Sequence, residues 1–252
     1  MESSSLQKSR YKIIAKRIAL ELEEIIPKGE NGLYGWEENG VEAYTYANAA
    51  MALLYYYLGD VTKAQYIFKT ICNCMPSIRG MYGERVKDQN INTYANALIG
   101  ILYSLLGDTH RSEQILCSIE NNMPKDICGL YQWGMRGNSP FTVSNASVAI
   151  LYETLGKKEA SQKILDKIER NIPHNRNLYC KGKLNNGVYT NANAAMGILY
   201  ASLGNHKKAQ QILLQMEKTI PMVNRGLYTF AVGENSIRTE PNALMAILYC
   251  IL

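Results

Sequence analysis

The stretch Thr45-Tyr-Ala-Asn-Ala-Ala-Met-Ala-Leu-Leu-Tyr-Tyr-Tyr-Leu-Gly59 decides how this chain is read, because four more copies of it follow. They start at Thr93, Thr142, Thr190 and Thr239. Each copy has Asn three residues after the Thr (Asn48, Asn96, Asn145, Asn193, Asn242) and a Leu-Tyr pair ending at Tyr55, Tyr103, Tyr152, Tyr200 or Tyr249. Successive Asn residues lie 48 or 49 positions apart. A period of this length points to stacked helical units.

Within the repeat, the Thr-led segment is apolar nearly all round and predicts a buried inner helix. It ends at a Leu-Gly (Gly59, Gly107, Gly156, Gly204), where Gly suits a left-handed position after the last helical turn. Asp60, Asp108 or Asn205 then opens a second helix that runs to Pro76, Pro124 or Pro221; the third copy runs to Pro173. This second helix carries the charge (Lys157, Lys158, Glu159, Lys163, Asp166 in the third copy), so it predicts an outer helix. The Thr reads as an N-cap accepting a backbone N–H, with Asn at the third helical position supporting the same turn.

Ahead of every inner helix stands a Tyr (Tyr34, Tyr82, Tyr131, Tyr179, Tyr228) and ten residues predicted to form a short ribbon. Asn39-Gly40, Gly137-Asn138 and Asn186-Gly187 are turn signals within three of them. The chain starts with an outer helix, 6–26, that lacks an inner partner, and finishes on an inner helix that lacks an outer one. If the first covers the last, five hairpins close on themselves. The expected fold is therefore all-α: a closed α/α toroid of five helical hairpins, ten helices in all, with β-ribbon loops before the inner helices. A curved open array is the alternative. One domain spans 1–252, with repeats at 27–75, 76–123, 124–172, 173–220 and 221–252.

Bulk properties narrow the function classes. A chain of 252 residues buries roughly 75% of its unfolded surface and needs no staple. The net charge of +5 is spread out, with no Lys/Arg run of nucleic-acid-binding density. No signal peptide and no apolar run of membrane-spanning length is apparent. The six cysteines recur at no common repeat position and the three histidines form no ligand pairs, so no metal and no cofactor is expected. Free thiols and a cytoplasmic location follow.

The hairpin Ala97-Leu-Ile-Gly-Ile-Leu-Tyr-Ser-Leu-Leu-Gly-Asp108 resembles a tetratricopeptide unit, but that family repeats at 34 residues. The whole unit, from Gly-Leu-Tyr through ribbon, inner helix, Leu-Gly-Asp and outer helix, resembles the six-hairpin glycosidase and sugar-epimerase group. It is similar more weakly to the prenyltransferase and terpene-cyclase repeat, whose acidic and zinc-binding motifs are absent here. Five hairpins instead of six departs from both groups. The first resemblance implies carbohydrate processing, glycoside hydrolase-like or epimerase-like.

All five ribbons gather at one mouth, and the residues that break the repeat there are the candidates for chemistry. Glu42 and Asp88, both close before inner helices, are the expected acid–base pair. Trp36, Trp133 and Phe230, each two residues after its Tyr, are placed either to stack on a ligand or to pack on the ribbon behind. Glu37, Glu84, Arg85, Arg136, Arg238 and Glu240 complete the expected binding set, and converging helix N-termini favour an anionic group that Arg85, Arg136, Lys181, Lys183 and Arg238 would help hold. The expected partner is a small sugar or anionic ligand, with no nucleic acid and no membrane. A non-catalytic helical-repeat module holding a protein partner and an isoprenoid-binding toroid are the alternatives.

Overall fold

The computed structural model describes residues 2–137 and 139–252. Ten helices follow in order: α1 (Glu2–Ile25), α2 (Thr45–Leu58), α3 (Val61–Cys74), α4 (Thr93–Leu105), α5 (Thr109–Asn122), α6 (Thr142–Thr154), α7 (Lys158–Asn171), α8 (Thr190–Ser202), α9 (His206–Thr219) and α10 (Thr239–Ile251). The inner helices α2, α4, α6, α8 and α10 pack side by side in that order, and α10 packs back on α2. Outside them lie α3, α5, α7 and α9, each against the inner helix before it, while α1 covers α10. The ring is closed. Tyr11 of α1 meets Tyr249 of α10 with ring centroids 5.4 Å apart, which joins the first helix to the last. Among the described residues, no helix is long and apolar enough to cross a membrane.

The hairpin turns form as their residues dictate. Gly59, Gly107, Gly156 and Gly204 all have positive φ. Asp60, Asp108 and Asn205 accept the backbone N–H of Lys63, Arg111 and Lys208, capping the outer helices.

The conserved-in-repeat Thr and Asn have a different use from the expected cap. Each Thr is the first helical residue, and its hydroxyl donates to a backbone carbonyl of the next ribbon. Thr45 bonds Gly83 (2.5 Å), Thr93 Gln132 (2.6 Å), Thr142 Cys180 (2.6 Å) and Thr190 Thr229 (2.5 Å). Thr239 completes the circle on Gly35 at 2.7 Å. Each Asn clasps its own ribbon. Asn145 Oδ1 accepts from the Tyr131 N–H (2.7 Å), while its Nδ2 donates to the Tyr131 and Phe141 carbonyls (2.9 Å each). The same clasp joins Asn48 to Tyr34, Asn96 to Tyr82, Asn193 to Tyr179 and Asn242 to Tyr228. These side chains are therefore committed to the backbone and are not available to a ligand in the lumen.

Asn145→Ala is expected to cost about 2–4 kcal/mol, because it orphans the buried Tyr131 N–H and C=O at roughly 1–3 kcal/mol each, while the Phe141 carbonyl keeps the backbone N–H of residue 145. Urea denaturation at neutral pH checks this; a variant as stable as wild type would contradict the clasp.

The tyrosines pair through their hydroxyls. Tyr82 meets Tyr103 at 2.8 Å, Tyr179 meets Tyr200 at 2.9 Å and Tyr228 meets Tyr249 at 2.7 Å. A carboxylate of the preceding outer helix accepts from these hydroxyls: Glu23 from Tyr34 and Tyr55, Glu120 from Tyr152, Glu169 from Tyr179 and Tyr200, Glu217 from Tyr249. Cys72 takes that place beside Tyr82. Four of these acceptors are Glu residues that stand four before the repeat's Pro.

The ribbons are shorter than expected. Strands pair at β1 (Ser77–Ile78) with β2 (Met81–Tyr82), and at β3 (His174–Asn175), β4 (Leu178–Gly182) and β5 (Asn185–Val188). The other ribbons hold isolated bridges. In the fourth ribbon the turn falls between Gly182 and Asn185, so Asn186-Gly187 lies in β5 and not at the turn. In the first, Gly40 closes a turn on the Glu37 carbonyl with Glu38-Asn39 at its centre. For Gly137-Asn138, Asn138 lies outside the described residues.

Candidate functional site

The phase of each inner helix decides what faces the axis. The Asn clasp turns position +3 after the Thr toward the ribbon. At 100° per residue, position +1 then lies about 200° away, and positions +5 and +8 fall near the same line. The inner ends of these lines are Leu98, Ile101, Ile150, Ile198, Leu244 and Ile247, which leave only about 20 Å³ on the axis. The toroid is plugged. Above the plug the +1 residues are Tyr46, Tyr94, Val143, Asn191 and Glu240, and all five line an open cup of about 240 Å³ at the ribbon end.

The ribbons raise the wall of this cup. Two residues past the ribbon tyrosine stand Trp36, Trp133, Lys181 and Phe230, and just before the inner helices stand Phe141 and Arg238. Trp133 packs on Phe141 and Tyr94 with ring centroids 5.3 and 6.0 Å apart. Trp36 is fixed by a backbone with no room to spare: a Cβ on the neighbouring Gly35 would sit 1.8 Å from the Gly40 carbonyl oxygen. The ribbon aromatics thus do both things offered by their position, packing on neighbours while presenting a surface to the cavity.

Glu240 is the chemical centre of the floor. It is the second residue of α10 and only 2% exposed. Its carboxylate accepts from the Tyr94 hydroxyl at 2.5 Å and from Asn191 Nδ2 at 3.3 Å. Burial raises its pKa to about 7, although those two hydrogen bonds and Arg238 pull the other way. Burial, together with the charge of Glu240, pushes the hydroxyls of Tyr46 and Tyr94 up, so both stay protonated as donors. A carboxyl that exchanges its proton near neutrality beside a ligand-sized cavity is equipped for acid–base work.

Two cations flank it. Arg238 is stacked between Trp36 (4.2 Å to the ring centroid) and Phe230 (3.6 Å). Lys181 lies over Phe141 at 4.9 Å and Tyr189 at 4.6 Å. Burial, then the nearby Arg238, lowers the Lys181 pKa.

The expected pair Glu42 and Asp88 does come together, but around Arg85. Its guanidinium donates to Glu42 Oε1 at 2.7 Å and to Asp88 Oδ2 at 2.9 and 3.0 Å. The Asn90 backbone N–H, then Arg85, holds the Asp88 pKa below the usual carboxylate range. Neither carboxylate lines the cup. Glu84, Asp88 and Arg136 line an adjoining groove of about 860 Å³ that shares Trp133 with the cup. Burial raises the Glu84 pKa. Glu37 sits at the seam of the ring, where its backbone bridges that of Arg238. Of the expected set, Trp36, Trp133, Phe230, Arg238 and Glu240 meet in the cup. The expected cation Lys181 joins them, while Lys183 lies against Asp126 instead; Tyr46, Tyr94, Asn191 and Phe141 line the cup without having been singled out.

No model of a known protein family matches the chain, and no curated protein matches it by sequence. Solved structures do match its fold. An α-mannanase of glycoside hydrolase family 76 from Bacteroides thetaiotaomicron superposes with a TM-score of 0.65 at 10% identity, over 95% of this chain and 94% of the other. An endo-β-1,4-glucanase from Acetobacter xylinum gives 0.66 at 11% identity, over 96% and 98%. A D-mannose isomerase gives 0.60 at 11% identity, over 88% and 76%. The chain shares the α/α-toroid fold of these structures, closed here on five hairpins.

Proposed function

We propose that this toroid processes a carbohydrate, seating one sugar ring in the aromatic cup and moving a proton through Glu240. The observation that carries the reading is the fully buried Glu240 carboxyl, with a pKa near 7, on the floor of a cavity walled by Trp36, Trp133 and Phe230. Flat aromatic walls suit the faces of a sugar ring, and Tyr94 and Asn191 offer the polar groups that fix its orientation. The cup is smaller than the roughly 300–1,000 Å³ of pockets for drug-sized ligands, which favours a single ring over a chain.

Similarity to glycosidases and to a sugar isomerase supports the substrate class at the level of fold analogy. It supplies no catalytic residues. The α-1,6-mannanase of Salegentibacter is inactive as a variant with two consecutive aspartates changed to asparagine, and this chain has no two consecutive aspartates. Glu240 replaces the Glu42–Asp88 pair in our assignment, because both of those carboxylates are engaged by Arg85. One carboxyl in the cup fits proton transfer of the isomerase or epimerase type better than a hydrolysis that needs two. That same count favours a second reading, a sugar-binding module without turnover.

A thermal-shift screen against neutral monosaccharides, uronic acids and sugar phosphates tests the reading. A ligand at a hundred times its Kd stabilises by about 2.7 kcal/mol, a shift of several degrees. A shift with one sugar class, followed by turnover of that class, supports an enzyme; a shift without turnover supports the binding module. No shift with any sugar would refute the carbohydrate reading.

A further inference from the structure

Lys181 and Arg238 enter the same cavity from adjacent repeats. They occupy positions where the other four repeats carry Trp36, Glu84, Trp133 and Phe230 in one case, and Tyr44, Asn92, Phe141 and Tyr189 in the other. No other repeat places a cation at either position. Among the described residues, neither takes part in an ion pair. Glu240 on the cup floor is bound instead by Tyr94 and Asn191, and Glu234, the carboxylate whose charge reaches Lys181, forms no ion pair with it. Arg238 Nε is buried without a hydrogen-bond acceptor. Two like charges gathered in one partly buried cavity repel each other and lose hydration, an arrangement that folding alone disfavours and a bound anion relieves.

The guanidinium is also held ready. Stacking between Trp36 and Phe230 fixes its plane, so little side-chain freedom is lost when an oxyanion arrives. The five inner-helix N-termini around the cup add partial positive charge at the same end. Resting on the carbohydrate reading above, we propose that the substrate is an acidic sugar whose carboxylate or phosphate sits between Lys181 and Arg238, with its ring over Glu240.

The test compares matched ligands by isothermal titration: D-glucose, D-glucuronate and D-glucose 6-phosphate, with the mannose and galactose series alongside. The acidic member of at least one series is expected to bind about tenfold or more tightly than its neutral parent, the scale of one hydrogen-bonded ion pair. Preference for the uronate or for the phosphate identifies the source of the anion, and either supports the proposal. Raising the salt concentration weakens acidic but not neutral binding. Arg238→Gln and Lys181→Met each erase most of the preference; the wild-type comparison stands even where a variant fails to fold. Neutral sugars that bind as tightly as their acids would overturn the proposal and leave the carbohydrate reading intact. An acid preference that survives in both folded variants would overturn the assignment to these two residues. Binding of no sugar at all would overturn both.

Discussion

Changing Glu240 to glutamine is expected to abolish turnover and, above neutrality, to make the protein more stable. Both follow from one buried carboxyl. As acid or base it contributes a factor of about 10²–10⁴ to rate, all of which an amide forfeits. Its folded pKa stands near 7 against an ordinary 4.5. The folded state therefore binds more protons than the unfolded one between those values. Stability falls as pH rises through that window, and the penalty is complete above about 7. At 1.36 kcal/mol per pH unit the penalty is about 3 kcal/mol. Glutamine keeps an acceptor for Tyr94 and sheds the charge, giving up only the long 3.3 Å hydrogen bond that Asn191 Nδ2 donates to the carboxylate. Each kcal/mol gained moves the Tm of a chain this long by about 2–4 °C. Denaturation at pH 5 and pH 8 reads the effect directly. Wild type should lose stability between the two while Glu240→Gln stays level from this source. Parallel profiles would mean that Glu240 is not the buried titrating group, and undiminished turnover would remove it from the chemistry.

The repeat made the ring legible. Spacing alone placed the helices, the glycine turns and the pairing of the unmatched first and last helices. Local reading failed where the partner is remote in sequence. A Thr followed at three residues by Asn looks like a cap on its own helix, yet the Thr hydroxyl bonds a carbonyl 38 or 39 residues on, and 204 residues back at the seam. The Asn reaches a ribbon 14 residues away. The site was half legible for the same reason. Glu42 and Asp88 were attractive because they stand in the ribbons, but nothing local revealed that Arg85 bridges them. The residues that line the floor follow the Thr directly, and there the repeat breaks into Tyr46, Tyr94, Val143, Asn191 and Glu240. That break was visible. Its meaning depends on the helix phase, which only the Asn clasp fixes.

Removing α1 is expected to cost the protein its cooperative fold, and with it the cup. Among α1's contacts with the ring, Ile18 and Leu22 are 1% or less exposed, and burying each contributes about 1.5–3 kcal/mol. Glu23 adds the acceptor for both Tyr34 and Tyr55. Against a total stability of about 5–15 kcal/mol, the loss is decisive. A chain starting at Pro27 should show a broad, low-amplitude thermal transition and weakened near-ultraviolet circular dichroism. A synthetic peptide spanning 2–26 should restore both when added in trans. A sharp transition at the wild-type temperature without the peptide would refute the role of α1 as the closing element. The seam it guards is where the site is built. Thr239 donates its N–H to the Trp36 carbonyl at 3.0 Å and its hydroxyl to Gly35 at 2.7 Å. Across that seam Trp36 meets Arg238, so the first ribbon supplies one wall and the last repeat supplies Phe230, Arg238 and Glu240. An open array of the same five hairpins would keep every hairpin and separate these residues. Closure is thus a condition for the site, and loss of ligand binding in the truncated chain, regained with the peptide, is the expected signature.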